Sequence, residues 1–556
     1  ADYPEITFKL NFPPEVNLFR DGAAIECFIT GEEPVKAVLL NLDGKNGEFR
    51  LFAPDFPDWI EDDGVGIKLA PDTRTSSIMK KVMQGLEKNQ PLFQLFEQLH
   101  AQQPVVASPD PATLPSLEFR NKKLNASQQQ AVATVVQNEN ICIVHGPPGT
   151  GKTTTLVEAI LQLIKAGEKV IVAAPSNTAV DHLAKGLIQQ GVNLLRVGNI
   201  SKVDEQIFTH TPEGKLKTSN AQKEIKQLKI RAEEFRKMAL KYKRSFGKAE
   251  REQRSLLFKE VKNIRTEIKK LQAYNEEKLF AEATVIAGTP IGLYDAGINH
   301  LHFQTLVIDE AGQCMEPLAW CIFPLADKIV LAGDHWQLPP TVLSREAAAL
   351  GFNVSILERA ISKTSNVILL NTQYRMRQAI AGFSSHYFYT NLLHTAEHLQ
   401  NTGVHLTFID TAGSGYNEKH GPDGSSLQNE GELAIVQKIM ETETLDPLTT
   451  AFISPYAGQV SAAKELLPKQ LRISTIDSFQ GQEKEAIVLS LVRSNDEGEI
   501  GFLKDYRRMN VAMTRAKEQL FVIGDRATIG ADLFYNKFLS YVEEHGTYRT
   551  VWEFEL

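Results

Sequence analysis

Cysteine is scarce in this chain of 556 residues: Cys27, Cys142, Cys314 and Cys321 are all there is. They are scattered, without the close pairs of a metal site or the regular spacing of a disulfide framework. That predicts a reducing, intracellular setting, cytoplasmic or nuclear, and no structural zinc. Long apolar runs are missing too. No stretch approaches the roughly 18 continuous apolar residues of a membrane helix, so no membrane is expected as a partner. No signal-peptide pattern opens the chain. A net positive charge is also absent: the formal balance is −8, which argues against a generic polyanion binder.

Net charge conceals local structure. From Lys215 to Lys270 there are 19 Lys and Arg against 7 Glu, a local balance of +12, so the remainder carries −20. A basic island in an acidic chain suggests a segment that meets phosphates. A solvated helical face has the same composition, and charge alone does not choose between them. Otherwise the composition is that of an ordinary globular protein, 42% hydrophobic and 23% charged, and long enough for several domains.

The first 110 residues read as short strands punctuated by Gly and Pro, with Asn46-Gly47 as a hairpin turn. "SSIMKKVMQGLEKNQPLFQLFEQLH" has helical periodicity, and "QQPVVASPDPATLP" reads as a linker. Then the pattern changes. "ICIVHG", "KVIVAAP", "ATVIAGT", "TLVIDE" and "KIVLAGD" are β-rich apolar runs of buried parallel-strand type, alternating with helices. A second set follows: "NVILLN", "TTAFISP", "RISTIDS", "AIVLSLV" and "QLFVIGD". Inside the first set, Ile225, Leu228, Ala232, Phe235, Ala239, Tyr242 and Phe246 recur at spacings of 3 and 4. Leu257, Val261, Ile264, Ile268 and Leu271 do the same beyond Gly247. Two such seams about a turn predict an antiparallel helical hairpin with its basic residues outward.

One stretch names its own chemistry. "GPPGTGKTT" (Gly146, Pro147, Pro148, Gly149, Thr150, Gly151, Lys152, Thr153, Thr154) matches G-x-x-x-x-G-K-[ST] between a strand and a helix. Its glycines let backbone N–H groups curl around phosphate oxygens, and the helix N-terminus favours the anion. Lys152 reaches the β- and γ-phosphates, and the Thr153 hydroxyl suits Mg²⁺. The pattern arises by chance in roughly one chain in fifty of this length, and its flanks lower that further. "TLVIDEAGQ" ends a strand on Asp309-Glu310. Asp309 suits Mg²⁺ and Glu310 an attacking water. An Asp-Glu pair alone more often marks a strand end; beside a phosphate loop the catalytic reading is favoured.

With these in place the chain resembles a superfamily 1 helicase. It is most similar to the 5'→3' translocating branch that contains the nonsense-mediated-decay helicase, senataxin and the immunoglobulin mu-binding helicase. The matches run in family order: "LNASQQQAV", "GPPGTGKTT", "APSNTAVDHL", "AGT", "VIDEAGQ", "GDHWQLPP", "QYRM", "SPYAGQ", "STIDSFQGQEKEAIVLSLVRS" and "GFLKDYRRMNVAMTRAK". They span about three-quarters of the chain.

The resemblance implies two RecA-like P-loop cores in tandem, α/β in class, with an N-terminal β-barrel-like accessory domain and an inserted α-helical hairpin. In residue numbers it implies an accessory domain and linker over 1–114 and a first core over 115–200 and 281–365. The hairpin occupies 201–280 and the second core 366–556. It further implies that Gln128 reads the adenine edge, Tyr374 stacks on the ring, and Gln337 contacts the γ-phosphate. Arg375 and Arg515 would reach that phosphate from the second core, and Glu483 would approach the sugar. Each also has an ordinary reading, Tyr374 as core and Arg375 as a surface ion pair. The roles of Arg507 and Arg508 stay open between ATP-linked and structural.

For nucleic acid the implied contacts are Pro175, Ser176, Asn177 and Thr289 on the first core, and Pro455, Tyr456 and Thr475 on the second. Hydroxyls and amides suit sequence-independent grip on phosphates; loop capping is the plainer role of the same residue types. The expected protein is a monomeric ATP- and Mg²⁺-dependent 5'→3' helicase or translocase on single-stranded DNA or RNA, acting on duplexes with a 5' overhang. The alternative is an ATP-controlled clamp or ribonucleoprotein remodeller with little unwinding. A P-loop NTPase that ignores nucleic acid would require "APSNTAV" and "SPYAGQ" to be coincidences. No Cys/His-rich regulatory module or nuclease domain is recognisable.

Overall fold

The computed structural model describes residues 4–11, 19, 23–43, 45–53, 56–62, 64–70, 73–101, 117–199, 203–218, 220–240, 248–342, 344–400, 403–421, 424, 426–479 and 481–554. The chain divides into two compact units. One holds 1–84, 379–383 and 401–556; the other holds 85–378 and 384–400. The expected linker, 102–115, lies outside the described residues.

Five antiparallel strands open the chain: β1 (Glu5–Lys9), β2 (Ala24–Phe28), β3 (Val35–Asp43), β4 (Asn46–Leu51) and β5 (Gly66–Leu69), in the order β1-β4-β3-β2-β5. Alternation sends Ile25, Cys27, Ala37, Leu39, Phe49 and Leu51 into one core. Asn46-Gly47 was expected to form the hairpin turn. Asp43 instead pairs with Asn46, so these two residues open β4 and the connection is residues 44–45.

The second sheet has seven strands: β6 (Ile141–His145), β7 (Val170–Ala173), β8 (Leu194–Arg196), β9 (Val285–Gly288), β10 (Phe303–Ile308), β11 (Ala326–Gly333) and β12 (Val367–Leu369). Every pairing is parallel, in the order β12-β6-β11-β10-β7-β9-β8. β6, β7 and β9 are buried at every residue, as strands covered on both faces must be. The helices Ala126–Gln137, Lys152–Lys165 and Asn177–Gln189 supply much of that cover, packing Val132, Ile160 and Leu183 against Cys142, Val172 and Val307. One assignment is corrected here. "NVILLN" was expected to open the second α/β set, but β12 pairs with β6 and belongs to this sheet. Its partner lies more than 200 residues upstream, which local pattern does not reveal.

Between β8 and β9 the chain forms the helices Asn220–Leu240 and Lys248–Glu282. Ile225, Ala232, Ile264 and Ile268 make their shared seam, with Leu228, Phe235 and Leu271 against it. Tyr242, Phe246 and Gly247 lie outside the described residues. The short pair β13 (Thr372–Gln373) and β14 (His394–Thr395) follows β12.

The remaining strands are β15 (Leu406–Asp410), β16 (Lys419–His420), β17 (Leu427–Gln428), β18 (Thr450–Ser454), β19 (Arg472–Thr475), β20 (Lys484–Ser490), β21 (Ala516–Gly524) and β22 (Thr547–Thr550). Six make a parallel sheet in the order β19-β18-β20-β21-β15-β22, and β16 and β17 pair antiparallel. β15 and β22 are absent from the sequence reading. Two α/β sheets in tandem are therefore present.

The third sheet's core contains a fully buried carboxylate. Glu432 sits in the first turn of the helix Glu430–Thr442, which Asn429 caps through Glu432 N–H at 3.1 Å. Its carboxyl accepts from the Ser490 hydroxyl at 2.5 Å and from the Val492 N–H at 3.0 and 3.1 Å. Val492 is held with φ +71°, rare for a β-branched residue. Burial pushes the Glu432 carboxyl up to about 8; those hydrogen bonds oppose the shift, and Asp525 and Glu418 add to it. Between the ordinary glutamate value and about pH 8, the folded chain keeps a proton that the unfolded chain releases. Stability contributed here is therefore lost as pH rises through that window. Urea midpoints measured from pH 5 to pH 8 are expected to fall more steeply in the parent than in Glu432→Gln. Parallel slopes would refute the assignment.

Candidate functional site

In an open parallel sheet the carboxyl ends of the strands converge, and ligands bind there. Nearly every residue singled out on the first α/β sheet follows such an end. β6 leads into the Gly146–Gly151 loop, β11 into Asp334–Gln337, and β10 into Asp309-Glu310. β7 leads into Pro175, Ser176 and Asn177, and β9 into Thr289. Sheet order makes β6, β11 and β10 neighbours, with β7 and β9 beside them. The candidate nucleotide residues and nucleic-acid residues thus occupy adjoining stretches of one edge.

The phosphate loop is fastened at both ends. Gly146 N–H donates to the Gly333 carbonyl at 2.9 Å, and the Thr150 hydroxyl to the Pro147 carbonyl at 2.7 Å. Gly149 has φ +75°, and a Cβ there would lie 2.6 Å from Arg375 Cβ, so neither conformation nor space admits another residue. Lys152 opens the following helix. Its ammonium pairs with Asp309 and, at 2.7 Å, with Glu310 Oε1. Burial disfavours the charged ammonium, but the two carboxylates outweigh it and the Lys152 pKa is raised. Asp309 is raised as well, by burial first and by the like charge of Glu310, against the pull of Lys152.

Glu310 has φ +52°, a left-handed conformation costly for a residue with a side chain. Three hydrogen bonds hold it there. Its N–H donates to Asp309 Oδ1 at 2.8 Å; Gln313 Nε2 donates to Glu310 Oε2 at 3.0 Å; Gln313 N–H donates to the Glu310 carbonyl at 2.9 Å. Strain that is over-determined in this way clusters at functional positions.

Asp334 is a hub the sequence reading passed over, although "GDHWQLPP" contains it. It accepts from His145 Nε2 at 3.0 Å, Gln337 Nε2 at 2.8 Å, the Tyr389 hydroxyl at 2.6 Å and the Trp336 N–H at 3.1 Å. Burial alone would raise its carboxyl. The hydrogen bonds from His145, Tyr389 and Gln337 prevail and hold it below the usual range. His145 is the last residue of β6, so Asp334 joins Gln337 to the root of the phosphate loop. His145, Asp334 and His335 bring potential metal-ligand atoms within 4.8 Å of one another. Asp334 is already saturated with donors, which favours a structural network there.

Tyr374 and Arg375 were expected on the second core. They belong instead to the unit of the phosphate loop: Leu370 N–H donates to the His145 carbonyl at 2.9 Å, and Tyr374 N–H to the Gly149 carbonyl at 2.8 Å. The backbone continues from β12 along β6, which carries both side chains to the loop. Tyr374 is 43% exposed, with its hydroxyl accepting from Asn125 Nδ2 at 2.8 Å. Gln128 is buried. Its amide accepts from Asn125 N–H at 2.9 Å in a capping box and donates to the Thr150 carbonyl at 3.0 Å, so it ties its helix to the loop. Thr153 is half-buried and Thr154 exposed.

In the other unit, Glu483 and Arg515 come together at the amino ends of β20 and β21. Lys484 N–H donates to the Arg515 carbonyl at 3.1 Å, and Lys517 pairs with Glu483 at 3.2 Å. Arg515 is only 4% exposed. Arg508 is held by Asp477 and Asp505, each at 3.2 Å. Pro455 and the buried Tyr456 follow the opposite, carboxyl end of β18, and Thr475 is the last residue of β19. The two groups of candidates thus segregate to the two ends of this sheet.

Several nucleic-acid candidates also cap local structure. The Ser176 hydroxyl accepts from Ala179 N–H at 3.2 Å and Thr289 from Gly292 N–H at 3.3 Å, each at a helix start. Asn177 Oδ1 accepts from Arg196 Nη2 at 2.8 Å. The Thr475 hydroxyl donates to Ser478 at 3.1 Å.

Comparison with known proteins agrees with this layout. Residues 123–345 and 352–527 each match a family described as AAA domain. The DNA-binding protein SMUBP-2 of Mesocricetus auratus is 35% identical over 517 residues, covering 88% of this chain and 51% of that protein. The chain thus spans about half the length of that relative. The DNA polymerase alpha-associated DNA helicase A of Schizosaccharomyces pombe is 31% identical over 498 residues, 84% of this chain and 74% of that protein. An Arterivirus nonstructural protein 10 (helicase), solved with DNA, aligns over 96% of this chain and 79% of its own. It shares 14% identity at a TM-score of 0.40, too loose a likeness to carry an argument.

Lys152→Ala leaves two carboxylates facing each other. It is expected to lower nucleotide turnover by at least about 10²-fold. It should also lower the melting temperature more at pH 8 than at pH 5, because the carboxylates repel only when both are ionised. Normal turnover would remove the phosphate-loop assignment.

Proposed function

The chain belongs to the Upf1-like branch of the superfamily 1 helicases, and on that footing we propose that it is an ATP-driven 5'→3' helicase or translocase on single-stranded nucleic acid. The observation that carries the reading is the Lys152 ammonium clasped by Asp309 and Glu310 at the mouth of the phosphate loop. A half-buried cation with two carboxylate partners is poised to exchange them for phosphate oxygens.

Once Lys152 turns to the β- and γ-phosphates, Asp309 is freed. Asp309 and the Thr153 hydroxyl are hard oxygen donors, and the Lys152–Asp309 contact places that carboxylate at the first turn of the helix. The pair fits Mg²⁺, which would neutralise charge on the phosphate oxygens. Glu310 orients the attacking water and accepts its proton. Gln337, oriented by Asp334, contacts the γ-phosphate and reports its presence to His145 and Tyr389 through the same carboxylate. Tyr374 stacks on the adenine ring, Gln128 recognises its edge, and Glu483 approaches the sugar. Arg375 approaches the γ-phosphate from the loop's own unit, and Arg515 is the second cation, supplied in cis by the other α/β sheet. Preorganised cations stabilise the charge that develops during phosphoryl transfer.

Ser176, Asn177, Thr289 and Thr475 hold the strand through phosphates and without base identity, Pro175 and Pro455 shape the loops beside them, and Tyr456, buried at 3% exposure, backs Pro455 from within. The basic helical hairpin adds salt-sensitive grip. Single strands of DNA or RNA and duplexes with a 5' overhang are the proposed substrates, and a monomer the working form.

Two measurements test this reading. ATPase activity is expected to rise with single-stranded oligonucleotides, matched DNA and RNA being compared, and unwinding to require a 5' overhang. Unwinding from 3' overhangs alone would reverse the polarity, and hydrolysis without movement would make the protein a clamp. Arg515→Ala is expected to lose hydrolysis by about 10³-fold or more and to keep single-strand binding. The reverse result would move Arg515 to the nucleic-acid side.

A further inference from the structure

"GFLKDYRRMNVAMTRAK" has an element beyond its arginines. Gly501–Lys504 is one turn of 3-10 helix, and it puts Phe502 on the surface, 60% exposed, with Lys504 exposed two residues on. The turn itself is rigid. Leu503, between them, is fully buried, and its carbonyl accepts from the buried Tyr535 hydroxyl at 2.9 Å. Asp505 N–H closes the turn on the Phe502 carbonyl at 3.2 Å. Gly501 has φ +52°, and a Cβ there would lie 2.5 Å from Arg493 Nη1 and 3.0 Å from the Tyr456 hydroxyl. A large apolar ring is thus held outward by a backbone with no freedom to withdraw it.

Its neighbour identifies the surface. The Phe502 ring lies 5.7 Å from that of Tyr456, inclined at 51°. Tyr456 follows the carboxyl end of β18, at the end of the sheet where Thr475 closes β19. A phenyl ring beside a lysine is the combination that grips single strands: the ring takes a base face, and the cation takes the adjoining phosphate. Protein-docking surfaces and lipid contacts favour broader apolar patches, whereas Phe502 is flanked by Lys504 and the solvent-exposed Gly501.

We propose that Phe502 is a base-stacking residue for single-stranded nucleic acid and that Lys504 holds the neighbouring phosphate. This rests on the reading above that the loop after β18 faces the strand through Pro455; Tyr456 itself is buried, 3% exposed, with Phe502 beside it on the surface. It adds a contact to bases where the other candidates touch phosphate, and it predicts an affinity for bases without sequence preference.

The test uses the full chain with a labelled oligothymidylate and a sugar–phosphate strand of the same length that lacks bases. Phe502→Ala should bind oligothymidylate roughly 5- to 150-fold more weakly and the abasic strand as the parent does. Phe502→Trp should retain affinity for both. Phe502→Leu keeps an apolar side chain against Tyr456 but has no ring, and it should fall with the alanine variant even if that variant folds poorly. Lys504→Ala should weaken both strands alike and reduce the salt slope by roughly 0.7. Parent-like binding of oligothymidylate by the leucine variant, or an equal loss on both strands, would overturn the proposal. Should the parent chain bind neither strand, the functional reading itself fails; should it bind while Phe502 proves indifferent, only this inference fails.

Discussion

A half-buried ammonium needs an anion beside it. Lys152 lies at the start of a helix, beneath a loop of backbone N–H groups, where positive potential is already concentrated. Asp309 and Glu310 supply the balancing charge, and both reach Lys152 because β10 and β6 end at the same edge of the sheet with β11 between them. Much else at that edge follows from this need. Glu310 is forced into a left-handed conformation to bring its carboxylate round, and Gln313 is committed to holding it. In the proposed function phosphate oxygens replace these carboxylates at Lys152.

The same topology arranges the candidates for the two proposed activities differently on the two α/β sheets. On the first α/β sheet, strand order sets the phosphate loop, Asp309 and Gln337 beside Ser176 and Thr289 along a single edge. On the second, Glu483 and Arg515 gather at the amino ends of β20 and β21, while Tyr456, Thr475 and the Phe502 turn gather at the carboxyl ends of their neighbours. The groups proposed to face the strand and the phosphate thus lie at opposite ends of one sheet and are connected through its strands. The buried group of Glu432, Ser490, Gln459 and Asn429 stiffens that link, since it joins the segments after β18 and β20 through side-chain hydrogen bonds.

What the sequence revealed was local. The phosphate loop carries its strand, glycines, lysine and helix in one contiguous run, and Asp309-Glu310 ends a strand of its own, so both were legible. The hairpin seam was legible because spacings of 3 and 4 place Ile225 to Phe235 and Ile264 to Leu271 on one face each. What it concealed was long-range. β12 was assigned to the wrong sheet because pairing with β6 leaves no mark in either segment, and Arg375 went with it. Asp334 looked incidental because its partners His145 and Tyr389 lie 189 and 55 residues away. Ser176 and Thr289 carry a double meaning that sequence cannot divide: a hydroxyl that caps a helix also marks a helix N-terminus, which is where a phosphate would bind.

The central claim is that Asp309 is released by Lys152 when phosphate arrives and then takes a divalent cation. Calorimetric titration of ATP with and without Mg²⁺, into the parent and into Asp309→Asn, tests it directly. Mg²⁺ is expected to tighten binding by about tenfold or more in the parent and to have little effect in the variant. Equal Mg²⁺ dependence in the two proteins, or none in the parent, would contradict it.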